Sequence, residues 1–239
     1  MRYLPLRKLY RNVHLSFDTV TQRKMVVKKF RDRNKLLREY SNNIIIHTLH
    51  EKSNSPIALH SVYDVDMLNK RLVLEYIEGT DLFNYIIQKK GRKEDIDHNS
   101  IMKDVGESID WLKTNKLVHL DIKPENFIYD ETSGQMSLID FQSLTSSKGN
   151  NKCFSIVGTD SYMSPEMFYE QSFHKNTDLW SMGLMGFIMS EKYNPLHITR
   201  NRSSVQDYAF RELKKKDYTF AEKIYHLLHY DPRNRINNF

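Results

Sequence analysis

The text of this chain changes character at Gly79, and that change limits the possible folds more than any other feature. Ahead of it lie short apolar runs split by turn-like residues. "NVHLSFD" (12–18) and "KMVVKKF" (24–30) flank "TVTQR", which predicts two strands and a turn. From Asp32 to about Leu49, Leu36, Leu37, Tyr40, Ile44 and Ile45 fall at three- and four-residue spacing, which predicts a helix. "SNSP" (53–56) breaks it, and "IALHSVYDV" and "RLVLEYI" read as a strand pair. Behind Gly79, "DLFNYIIQKK" and "SIMKDVGESIDWLKTN" read as helices. "FIYDETSGQMSLIDF" reads as a hairpin turning at Ser133-Gly134, and helical text dominates from Pro165. A strand-rich front and a helical rear predict an α+β fold of two lobes, residues 1–77 and 78–239, in a single domain.

Composition narrows the function classes. At 239 residues with 39% hydrophobic and 12% aromatic content, the chain can bury a core, so wholesale disorder is excluded. A lone cysteine, Cys153, permits no internal disulfide and suits a reducing compartment, so an intracellular location in cytoplasm or nucleus is expected. The start, MRYLPLRKLYRNV, has no apolar core of a signal peptide, and the longest apolar run, Leu179 to Met189, is too short to span a bilayer. That run predicts a buried helix, and no membrane role is expected. The net charge of +6 is uneven, with eight basic residues between Arg23 and Arg38 against Asp32 alone. Such a stretch is either a solvated basic face or a surface for acidic partners. No nucleic-acid motif accompanies it, so direct nucleic-acid binding is not expected as the primary role.

The chemistry concentrates in "HLDIKPENF" (119–127). Asp121, Lys123 and Asn126 share a polar, proline-interrupted loop between apolar segments, a common setting for catalytic groups. The hairpin behind it ends in Ile139-Asp140-Phe141, which offers a second acid to hold a metal with Asn126. Phosphoryl transfer needs such parts: an acid to orient a hydroxyl, a cation on the phosphate and oxygen ligands for magnesium. Any one of these residues alone reads sooner as a solvated charge in a turn.

Taken together, the motifs resemble those of a protein kinase domain of the serine/threonine type, in the family's order and over nearly the full length. Met25-Val26-Val27-Lys28 resembles the strand with the ATP-anchoring lysine, and "LVLEYIEGTDL" (72–82) the hinge between lobes. "HLDIKPENF" resembles the catalytic loop and Asp140-Phe141 the magnesium-binding motif. "GTDSYMSPE" (158–166) resembles the substrate-docking segment, "DLWSMG" (178–183) the start of the central helix, and "DPRNRI" (231–236) the segment whose arginine pairs with that glutamate.

The resemblance implies ATP with Mg2+, or Mn2+, as cofactors and protein substrates as partners. It implies that Lys28 contacts the α and β phosphates, that Asp121 orients the substrate hydroxyl, and that Lys123 neutralises the moving phosphoryl group. Asn126 and Asp140 would hold the metal. The backbone of Glu75 and Ile77 would bind the adenine edge, with Leu74 behind and Val13, Val26 and Ile128 around the ring. Lys123 and Thr159 fit action on serine or threonine. Asp178 would brace the catalytic loop, and Glu166 with Arg235 would form a buried ion pair. The small size, the end at Phe239 and the spare front resemble kinases of large DNA viruses, including those of insects, for which basic nucleic-acid-packaging proteins are plausible substrates. Glu75, Glu78, Asp81 and Glu125 would receive a basic peptide, or are ordinary surface acids.

Several positions depart from the family pattern. "LRKLYRNV" (6–13) stands where a glycine-rich loop belongs and has no glycine, so it reads as an edge strand, or as a loop with charge from Lys8 or Arg11. Val26 stands for the usual alanine and Gln142 for a glycine. Leu120 replaces the arginine that ordinarily receives a phosphate, so activity should not depend on phosphorylating Thr145, Ser146, Ser147 or Ser155. Glu39 is the expected partner of Lys28, with Glu51 as the alternative. Two readings stay open: an active kinase, or a weak or inactive pseudokinase that serves as a protein-binding scaffold.

Overall fold

The structure is a computed structural model that describes residues 2–52, 61–148, 151–152 and 158–239. "SNSP" (53–56), the first residues of "IALHSVYDV", Cys153 and Ser155 lie outside the described residues. The elements begin with β1 (Tyr3–Tyr10), β2 (Val13–Asp18), β3 (Arg23–Lys29), α1 (Arg33–Lys52), β4 (Val62–Asp66) and β5 (Arg71–Glu75). There follow β6 (Thr80–Asp81), α2 (Leu82–Arg92), α3 (His98–Thr114), β7 (Leu117–Val118), β8 (Phe127–Asp130), β9 (Gln135–Leu138) and β10 (Thr145–Ser146). The remainder is helical: α4 (Pro165–Glu170), α5 (Thr177–Glu191), α6 (Leu196–Thr199), α7 (Val205–Leu213) and α8 (Tyr218–Leu227).

The chain forms two compact units, Met1–Gly79 with Asp130–Gln142, and Thr80–Tyr129 with Ser143–Phe239. Residues 130–142 belong to the first unit although they follow part of the second in the chain. Hydrogen bonds account for that return: Asp140 meets Lys28, and Asn42 donates to the Phe141 carbonyl at 2.7 Å.

In the first unit five antiparallel strands run in the order β1-β2-β3-β5-β4. Strand alternation sends Met25 and Val27 to one face, where they meet Val73 and Tyr3. Val26, Leu72 and Leu74 go to the other face, with Phe30, Leu36 and Tyr40 over them. Both faces of β5 are thus covered, which is why "LVL" runs apolar without alternation. Gly134 N–H bonds the Asp130 carbonyl at 2.8 Å, placing a turn at Ser133-Gly134 between β8 and β9.

Helix α1 spans 33–52 rather than 32–49 and presents a different face from the one the apolar spacing suggests. Leu36, Glu39, Asn43 and Ile46 are its buried residues, whereas Leu37, Ile44 and Ile45 are exposed. The polar pair goes inward because each has a partner there, so burial without loss is possible. The basic stretch 23–38 is split between β3 and α1, with Lys28 buried and the other seven exposed, as a solvated face would be.

In the second unit α5 is buried along nearly its whole length, with Trp180 and Phe187 fully enclosed. It packs against α3 and α8. Gly186 permits the approach: a Cβ there would lie 2.5 Å from Ile224 Cδ1 and 2.9 Å from Met102 Cε. β6 pairs with β8, and β7 with β10, which ties down both ends of the loop 119–126.

Candidate active site

Each unit brings together charged residues from the motifs singled out in the sequence. In the first, β3 turns Lys28 toward α1, where its ammonium lies 2.8 Å from Glu39 Oε2 and 2.9 Å from Asp140 Oδ1. Asn43, one turn on, donates Nδ2 to the Glu39 carbonyl at 2.8 Å. Glu51, the alternative partner, is exposed and lies 3.5 Å from His47 Nδ1. Burial pulls the Lys28 ammonium down, but Asp140 and Glu39 together outweigh it and hold its pKa above the usual lysine value. At Glu39 burial wins: one ammonium divided between two carboxylates cannot offset it, and its pKa is pushed up to about 7. Asp140 sits in the left-handed region at φ 64°. That strain, at an acid beside Lys28, is of the kind stored at functional sites.

Register places the other expected contacts. Val13 stands opposite Lys28, and Leu74 opposite Val26. Val13, Val26 and Ile77 are half-buried, Leu74 is buried and Glu75 is exposed. β1 is an edge strand of the sheet and joins β2 through the two-residue turn Arg11-Asn12. Lys8 and Arg11 are exposed on that hairpin. Glu78 is exposed and lies 2.8 Å from the Lys24 ammonium.

In the second unit three side chains form a closed triangle. Thr159 donates its hydroxyl to Asp121 Oδ1 at 2.7 Å, and Lys123 donates to Asp121 Oδ2 and to Thr159 Oγ1, both at 2.8 Å. Asn126 donates Nδ2 to the Asp121 carbonyl at 2.7 Å, which turns its amide oxygen the other way. Magnesium takes one or two hard protein oxygens and completes its shell with phosphate and water. The carboxylate of Asp140, about a third exposed, is an oxygen of that kind in the first unit, and the Asn126 amide oxygen is one in the second. Ile128 is half-buried on β8 and Glu125 is exposed. Asp81 is occupied as the cap of α2, accepting from Asn84 N–H at 3.0 Å.

The backbone beneath the triangle is held from below. Asp178 accepts the N–H groups of His119 at 2.7 Å and Leu120 at 2.9 Å. Burial pushes the Asp178 carboxyl up, against His119 and those two N–H groups. The bonds fix Leu120 at φ 65°, a left-handed conformation that costs an ordinary residue about 1–2 kcal/mol. Glu166 and Arg235 form a two-pronged pair, both contacts 2.7 Å. In the sequence, Gly158 is visible only as part of "GTDSYMSPE". At φ 91°, a Cβ there would lie 2.4 Å from the Leu120 carbonyl oxygen, so only glycine lets Thr159 reach the loop.

A family model described as protein kinase domain matches residues 10–238, and the chain belongs to that family. Calcium-dependent protein kinase 5 of Plasmodium berghei (strain Anka) is 28% identical over 182 residues, covering 75% of this chain and 31% of that protein. Probable serine/threonine-protein kinase pXi of Dictyostelium discoideum is 31% identical over 182 residues, 75% of this chain and 26% of its own length. Calcium/calmodulin-dependent protein kinase type 1 of Caenorhabditis briggsae is 27% identical over 200 residues, 77% of this chain and 54% of its own. The chain thus spans about a quarter to a half of the length of these relatives. Among the described residues no helix is long and apolar enough to cross a membrane.

Proposed function

We propose that this chain is a serine/threonine protein kinase that moves the γ-phosphoryl group of ATP to a protein hydroxyl, with basic proteins as substrates. The observation that carries the reading is the Asp121–Lys123–Thr159 triangle. The substrate oxygen forms its bond to the γ-phosphorus as the bond to the bridging β–γ oxygen breaks, and ADP leaves. Asp121 accepts the hydroxyl's hydrogen bond and orients a lone pair toward the phosphorus. Lys123 brings positive charge to the equatorial oxygens, where charge is spread in the transition state. Thr159 fixes the rotamers of both. Lys28 holds the α and β phosphates, with Glu39 keeping its ammonium in place. Asp140 and Asn126 are the residues that would hold a divalent metal, which would supply positive charge to the phosphates. The half-buried Val13 and Val26 and buried Leu74 supply an apolar surface for adenine.

One observation favours a second reading, a weak or inactive pseudokinase that serves as a protein-binding scaffold. The β1–β2 turn is Arg11-Asn12, and no glycine stands in 6–13 to let backbone N–H groups approach phosphates. The discriminating experiment incubates the chain with Mg-ATP labelled at the γ phosphate and a basic, serine-rich protein, beside Asp121→Asn. Label transferred by the parent and reduced about a thousandfold in the variant supports the kinase. No label from a parent whose melting temperature rises with Mg-ATP supports the scaffold.

A further inference from the structure

Four consecutive backbone carbonyls, Asp160 to Met163, each accept a hydrogen bond from a side chain distant in sequence. Arg202 Nη2 donates to Asp160 O and Arg202 Nε to Met163 O, both at 2.9 Å. Asn194 Nδ2 donates to Ser161 O at 2.7 Å, and Ser181 Oγ to Tyr162 O at 2.8 Å. The donors come from α5, the loop before α6 and the turn before α7, and all three residues are buried. Arg202 also reaches Asp160 Oδ1 at 3.1 Å, and its guanidinium carbon stands 3.7 Å from the centroid of the Phe168 ring.

A guanidinium taken out of water costs several kcal/mol unless its donors are used. Here they are used on the main chain of one segment, and no full carboxylate pair compensates, since Asp160 is exposed. That segment follows directly on Thr159, whose hydroxyl belongs to the Asp121–Lys123 triangle. On its other side, Met163 shares a buried apolar cluster with Leu120. Leu120 stands where a phosphate-receiving arginine is usual, so packing occupies the place of an ionic tether.

We infer that Arg202, with Asn194 and Ser181, is a positioning residue that keeps 160–163 in its substrate-docking shape without a phosphate on the preceding loop. The inference rests on the kinase reading. The clamp carries four main-chain acceptors, so the segment's conformational entropy is spent at folding rather than when a substrate binds. Loosening it weakens protein-substrate binding while leaving the chemistry of bound substrate and the affinity for ATP in place.

The test uses the full chain, Mg-ATP and a basic, serine-rich protein. KM and kcat for both substrates, and the melting temperature, are measured for the parent, Arg202→Met, Arg202→Lys and Asn194→Ala. Arg202→Met keeps an apolar stem over Phe168 and is expected to raise KM for the protein about tenfold, with kcat and KM for ATP within about twofold. Arg202→Lys, which keeps a donor, falls between. Asn194→Ala, which removes no charge, shifts KM the same way and serves if Arg202→Met does not fold. Replacing Thr145, Ser146 and Ser147 together by alanine leaves the parent's KM unchanged. An active parent whose protein KM is unmoved by either clamp variant, or whose losses follow melting temperature alone, overturns this inference and spares the kinase reading. A parent that transfers no label overturns both.

Discussion

Among the described residues, Glu166–Arg235 in the second unit and Lys28–Glu39 in the first are buried ion pairs that are built differently. Arg235 meets Glu166 with both prongs at 2.7 Å, and spends its other donors on the carbonyls of His229 at 2.8 Å and Tyr230 at 3.1 Å. Glu166 takes a further bond from the Thr177 hydroxyl at 2.8 Å. Burial pushes Glu166 up, and Arg235 outweighs it, so its carboxyl is held below the usual range. Lys28 instead offers a point charge to two acids, of which Glu39 is enclosed and Asp140 about a third exposed. Glu39 is left at about 7. A planar fork closes on one carboxylate and finishes its bonding, whereas an ammonium is a point charge whose donors here divide between two carboxylates. The first pair secures a fold, and the second is the one that would meet a phosphate on the proposed kinase reading.

The comparison can be broken most forcefully at Arg235. Arg235→Ala strands Glu166 and should lower unfolding stability by about 3–5 kcal/mol, read from the urea midpoint. If the loss is under 1 kcal/mol, the pair is not what fastens the second unit. Lys28→Met should leave the first unit folded, because Glu39 can keep its proton. It should abolish the stabilisation by Mg-ATP, about 2.7 kcal/mol at a hundredfold excess over Kd, seen as a lost rise in melting temperature. Arg235→Lys keeps charge but loses the fork and should cost about 1–3 kcal/mol, less than the alanine variant.

The mildest test sharpens the pH side. Glu39 keeps its proton to about pH 7 in the folded chain against 4.5 as a free side chain. Its raised pKa therefore contributes stability fully below 4.5, and that contribution is lost as the pH rises through about 7. The slope reaches at most about 1.4 kcal/mol per pH unit. Glu39→Gln carries no such proton, so its melting temperature should fall less than the parent's over that window. Equal slopes in both chains would place the titration elsewhere.

How much could be read beforehand varies by element. β2, β3, the turn at Ser133-Gly134 and the buried α5 follow local spacing and turn chemistry, so the sequence shows them directly. The residues 119–127 declare a polar loop because proline and four charged or amide groups interrupt apolar text. Helix α1 was visible from its period but not its orientation. Its apolar Leu37, Ile44 and Ile45 face outward and its Glu39 and Asn43 inward. Nothing nearby in the chain signals the Arg2–Asp18 pair at 3.0 Å or the Arg202 clamp, since their partners lie far off.

The sequence by itself determined the elements, the two-part organisation and the family, because periodicity, turn residues and ordered motifs are local properties. Only the tertiary structure decided which charges meet. It chose Glu39 over Glu51 for Lys28, tied Thr159 to Asp121 and Lys123, and seated 160–163 on Arg202. A buried charge needs a partner within a few ångströms, and that partner is selected by the packing of remote segments rather than by spacing along the chain.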